Sequence, residues 1–230
     1  MAIWASATTH SSPCRGAATE EVYHATVLSL LLAAFLASAA EVERVMALVD
    51  GVPVLLSDVQ LCEAGGLVPR GEGEDDASYR ASVVEALIAL ELRWQDLASA
   101  GALERVAVDL DAAWRKVEKR AGGGEVLRQR LAGLGLAEPT LRELVRRAAT
   151  VEAYAARRFA PFLRVTAEEV ETVWQRRLAS ELAAQGVTAP SLDEVREQVE
   201  ALIREEKLAT EIERWTRELA SRHQVVRYRR

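Results

Sequence analysis

The sequence predicts a mainly α fold carrying one small β-sheet built from its two ends. Three observations predict it. Ala, Leu, Val, Arg and Glu dominate the 230 residues, and only 5% are aromatic, which is a composition of helix formers. Apolar residues recur at helical spacing through most of residues 77–221. The two stretches with strand character, 44–56 and 225–228, stand at opposite ends of the chain beyond residue 40.

Residues 44–56, RVMALVDGVPVLL, alternate weakly around Asp50-Gly51, the dipeptide suited to a two-residue hairpin turn. Pro53 lies on the second strand, which should therefore be an edge strand or pair through its other side. Ser57 reads as the cap of a short helix ended by Gly65-Gly66. A polar loop, PRGEGEDDAS, precedes a long helix over about Ala77–Ala100. Its stripe is Val83, Val84, Leu87, Ile88, Glu91 and Leu92, and Gly101 is the stop.

The spacing of Leu110, Ala113, Trp114 and Val117 predicts a helix over 109–120, broken by Gly122-Gly123-Gly124. A short helix over 125–134 puts Leu127, Leu131 and Leu134 in register. Glu138-Pro139-Thr140 opens the next, with proline in the first turn and Pro161 at its end. Two capping boxes, Thr166–Glu169 and Ser191–Glu194, start the last two helices. The first has Val170, Val173, Trp174, Leu178 and Leu182 inward and closes at Gly186. The second places Val195, Val199, Leu202, Leu208, Ile212, Trp215 and Leu219 on one side. The strand-like Val225, Val226 and Tyr228 follow. Short strands are poor structures alone, so the closing strand should pair with the opening hairpin.

Residues 25–40, ATVLSLLLAAFLASAA, form an apolar run ending in a small-x-small pattern at Ala37-Ser38-Ala39. As a helix the run spans about 24 Å, short for a bilayer core of about 30 Å. Residues 1–40 therefore read as a secretory signal with an atypical, long and acidic n-region, or with a start assigned too far upstream. A retained anchor is the alternative. Cys14 follows Ser12-Pro13 and not an apolar lipobox. Beyond residue 40 the one cysteine is Cys62, which leaves no internal disulfide to form and suits a small core residue. The net charge of −6 divides into −1 before Glu41 and −5 after it, which argues against nucleic acid as a partner.

Four pieces in this order resemble the chaperone segments of SurA-type periplasmic proteins. They are RVMALVDGVPVLLSDV, LIALELRWQDLASAG, the run from Leu127 to Trp174, and the ending from Val195 to Tyr228. The resemblance implies one helical chaperone domain over 41–230, exported to the periplasm, that binds unfolded envelope or outer-membrane polypeptides. In that family a parvulin isomerase domain commonly sits between the helices matching 166–182 and 191–221. Here only 183–190 lies between them. Parvulin catalysis uses histidines, and beyond residue 40 only His223 is present. The expected protein is therefore noncatalytic and free of cofactor and metal. The alternatives are an envelope adaptor with one fixed partner and a noncatalytic partner of an isomerase.

The residues themselves point the same way. Gly122–Gly124 lacks the Lys-Ser/Thr of a phosphate loop, and no Cys/His spacing suits a metal. Client binding needs exposed apolar groups. The candidates are Trp94, Tyr154, Phe162, Leu163 and Trp174. Of these, Trp94 is partly off its stripe, and Phe162 and Leu163 flank Pro161 in a connection. Trp114, Phe159 and Trp174 fall on stripes that equally suit a core.

Overall fold

A computed structural model describes residues 43–180, 186, 188 and 190–228. The signal-like run 25–40, Cys14, Leu182 and the terminal Arg229-Arg230 lie outside the described residues.

The hairpin forms as the dipeptide requires. Strand β1 (Val45–Val49) turns through Asp50 and Gly51 into β2 (Val52–Leu55). Both turn residues are left-handed, with φ of 48° and 84°, which glycine adopts without strain and aspartate tolerates. Strand β3 (Val225–Arg227) adds to the other side of β1, giving the order β2-β1-β3. Ala47, Leu48 and Val49 stand opposite Arg227, Val226 and Val225, all antiparallel. The Asp50 N–H donates to the Gln224 carbonyl and the Tyr228 N–H to the Met46 carbonyl, both at 2.9 Å. The sheet thus closes the two ends of the region on one another, as expected.

Side chains reinforce this closure. Asp50 accepts from the Gln224 N–H at 2.7 Å and lies 2.5 Å from His223 Nδ1. The hydrogen bond to His223, then that from Gln224, holds its carboxyl below the usual range. Arg227 forks onto the Glu85 carboxylate at 2.6 and 2.8 Å.

Among the described residues seven α-helices follow the hairpin: α1 (Leu56–Gly65), α2 (Asp76–Ser99), α3 (Leu110–Ala121), α4 (Gly124–Gly133), α5 (Glu138–Phe159), α6 (Ala167–Val173) and α7 (Leu192–Ala220). Helix α1 starts earlier than Ser57 suggests. Leu55 is its cap residue, and Asp58 reaches back to the Leu55 N–H at 2.9 Å. The Ser57 N–H instead meets the Glu43 carboxylate at 3.2 Å. At the other end a Cβ on Gly65 would stand 3.3 Å from Val117 and 3.4 Å from Leu141. Only glycine lets α1 approach α3 and α5 this closely without displacing them.

Two further details differ from the stripes. Leu134 falls just past the end of α4 and is 46% exposed, because the helix stops before it can turn inward. On α7 the fully buried neighbour of Val199 is Ile203, one position after Leu202, which is half-buried. Helix α6 continues as a π-type segment, Trp174–Ala179, where the wider turn re-aims the side chains that follow.

Burial divides the helices. One large cluster joins the sheet, α1 to α5 and the C-terminal half of α7, through residues such as Val49, Leu61, Leu92, Leu97, Leu141, Trp215 and Leu219. A second cluster contains only Val170, Val199 and Ile203 at its centre, flanked by Val165, Val173, Trp174, Leu192 and Val195. Helix α7, about 44 Å long at 1.5 Å per residue, belongs to both. Its second half is part of a body, and its first half forms an arm with α6.

Candidate functional site

The joint between body and arm is built by the end of α5. Pro161 cannot continue the helix, so the chain leaves it through a short 3-10 turn, Ala160–Phe162. The arm restarts at Thr166, where Thr166 and Glu169 exchange reciprocal hydrogen bonds of 2.8 and 3.2 Å. Phe162 sits in this joint with 82% of its surface exposed, by far the most open large apolar side chain described. Leu163 beside it is half-buried.

Behind the joint, an aromatic cluster fixes α7 to the body. Trp215 stands 5.9 Å from Tyr154 and 5.8 Å from Phe159, ring centre to ring centre. Its Nε1 donates to Asp96 at 3.2 Å. The Arg158 guanidinium lies over Phe159 and Trp215 at 5.1 and 5.6 Å. Tyr154 is therefore a half-buried wall of this cluster and not an isolated surface ring.

On the arm, α6 and α7 leave an open recess of about 420 Å³. Val173 and Ile203 line it together with Thr172 and Thr210, and Glu168, Glu169, Glu206 and Lys207 also border it. Lys207 is committed within the arm, 2.6 Å from the Glu169 carboxylate and 2.5 Å from the Arg164 carbonyl. Its hydrogen bond, followed by that of the Thr166 N–H, holds the Glu169 carboxyl below its ordinary range. Arg177 pairs with Glu206 across the two helices. Trp174 packs into the arm cluster, and its buried Nε1 has no hydrogen-bond partner among the described residues.

Trp94 lies elsewhere. It is half-buried against the body core, and the Arg146 and Arg147 guanidinium groups stand over its ring at 5.2 and 4.9 Å. Arg147 also pairs with Glu91, and Gln95 bridges Glu91 at 2.9 Å to the Val49 carbonyl at 3.3 Å. This network ties α5, α2 and the sheet together. The stripe on α2 included Glu91 without revealing its partner.

The five candidates thus occupy distinct settings. Phe162 and Leu163 share the joint, Tyr154 stands in the Trp215 cluster, Trp174 lies in the arm and Trp94 is in the body under two cations. Sequence reasoning missed Ile203 in the recess, Arg158 over the aromatic cluster, and the exposure of Val226 and Tyr228 on the sheet, 37% and 50%. The alternation in QVVRY was the available signal for the last pair.

The Cys62 thiol is buried and its pKa is pushed up to about 12, mainly by desolvation, which leaves it a poor nucleophile. Among the described residues no cluster of three or more His, Cys, Asp or Glu could hold a metal ion. Among those residues no helix is long and apolar enough to cross a membrane. A search of protein-family models found none that matches the chain, and a search of curated proteins found no significant match.

Proposed function

We propose that this chain is a noncatalytic periplasmic holdase that shields apolar segments of unfolded exported or outer-membrane polypeptides. The observation that carries the reading is Phe162. It is 82% exposed at the point where a thinly packed arm leaves a well-packed body. Covering one such ring removes apolar surface from water and is worth about 1.5–3 kcal/mol. A few contacts of that size give reversible binding after the entropy of ordering a client is subtracted. The recess beside it combines an apolar floor with polar groups at its border, which suits a polypeptide more than a purely apolar ligand.

The four-piece resemblance to SurA-type chaperones and the signal-like run 25–40 support an envelope role. The short connection 183–190, where relatives carry an isomerase domain, supports a role in binding alone.

The test is to titrate the full chain with an unfolded segment of an outer-membrane β-barrel protein, following tryptophan fluorescence. Saturable binding that weakens in Phe162→Ser is expected. Trp94→Ala, made in parallel, reports whether the cation-covered ring takes part. No binding at high micromolar peptide would remove the holdase reading. Recovery of one stoichiometric folded partner from envelope extract, with no denatured clients, would replace it with the adaptor reading.

A further inference from the structure

The two outer edges of the sheet are chemically unequal. Register decides which backbone groups face outward. Asp50 bonds Gln224 and Tyr228 bonds Met46, so Gln224, Val226 and Tyr228 turn their N–H and C=O groups toward β1. Val225 and Arg227 therefore turn theirs outward, where no strand is found among the described residues.

On the β2 side the same reasoning puts Pro53 and Leu55 outward. Leu48 stands opposite Pro53, between pairs that carry the β1–β2 hydrogen bonds. Pro53 has no N–H, and the Leu55 N–H is consumed by Asp58. That edge is closed to a further strand. The β3 edge has no such block. Its outer face also carries exposed Val226 and Tyr228.

We propose that the β3 edge accepts a fourth strand from an unfolded polypeptide: an extended, apolar segment flanked by carboxylates. The proposal rests on the holdase reading and names the kind of client segment it would take. Two outward N–H and two outward C=O groups match only an extended backbone. Charge selects the occupant. Arg222 precedes the strand and Arg229 and Arg230 follow it. A second copy pairing antiparallel about Val226 would set Arg222 against Arg230, like charge against like, which disfavours self-pairing. An acid-flanked segment meets complementary charge at the same positions.

The experiment follows amide hydrogen exchange at Val225 and Arg227 in the full chain. The probe is a heptapeptide of alternating Val, Thr and Tyr with Asp at each end. Slower exchange at both amides is expected on binding. N-methylating the peptide on its pairing side should weaken it at least about tenfold, since donors are lost and acceptors left bare. Val225→Pro should abolish the peptide's effect at this edge while the amides of β1 stay protected. It copies on β3 the block that Pro53 provides on β2. If the peptide binds with these amides unchanged and N-methylation has no effect, the edge proposal is wrong and the holdase reading stands on another surface. If both amides are already protected in the free chain, the edge is covered from within or by a second copy, and the proposal is again wrong. If neither this peptide nor a β-barrel segment binds, both readings fall together.

Discussion

The body and the arm use the same kind of helix and differ in what holds them. The body shares one continuous core that takes in the sheet and most helices, with residues such as Leu97 and Leu141 wholly buried. The arm has three buried residues, Val170, Val199 and Ile203, supported by surface ion pairs. Exposed pairs contribute little, typically up to about 1 kcal/mol each. The difference teaches where each region's stability resides. The body is a cooperative unit, and the arm can open without unfolding it.

That contrast is best broken by removing one buried side chain from each region. Leu141→Ala should lower global stability by about 3 kcal/mol in denaturant unfolding, since it empties a site shared by α1, α3 and α5. Ile203→Ala should move the global midpoint by less than about 1 kcal/mol while speeding amide exchange in α6 and the first half of α7. Equal shifts of a single transition by both substitutions would show that arm and body are one unit.

Next in size is the buried pair beneath Trp94. Arg147→Met leaves the Glu91 carboxylate buried with only Gln95 as donor, and should cost about 3 kcal/mol. The double change Glu91→Leu with Arg147→Met should recover most of that loss, because an apolar pair of similar size needs no desolvated charge. If the double variant is as unstable as the single one, the network does more than satisfy itself.

The smallest expected effect concerns the closure of the ends. The Asp50 carboxyl is depressed in the folded chain, chiefly by its hydrogen bond to His223. Its folded value lies below its unfolded value, so the stabilisation is present above the ordinary carboxylate range near 3.8 and is lost as pH falls through the folded value. Amide exchange of Gln224 and Tyr228 should therefore accelerate on acidification relative to Asp50→Asn. Identical profiles for the two chains would remove Asp50 from the closure.

Much of the fold could be read along the chain because its signals are local. Asp50-Gly51 names its own turn, Thr166 and Glu169 cap one helix through bonds three residues apart, and Pro161 stops α5 by lacking an N–H. The pairing of β3 with the hairpin followed from two strand segments that could not stand alone. What stayed hidden depends on distant partners. Leu202 and Ile203 are neighbours on one apolar side, and only the angle at which α6 crosses decides which is buried. Trp94 looked open because the arginines that cover it come from α5, more than fifty positions on. The division into body and arm was invisible for the same reason: α7 carries one unbroken stripe, and its two halves face different neighbours.

The most direct test of this account is hydrogen exchange across the full chain with and without an unfolded outer-membrane β-barrel segment. The account predicts protection at the joint around Phe162, on α6 and along the first half of α7, while the amides of α2 and α5 are unchanged. Protection confined to the body, with the arm and joint exchanging as before, would contradict it.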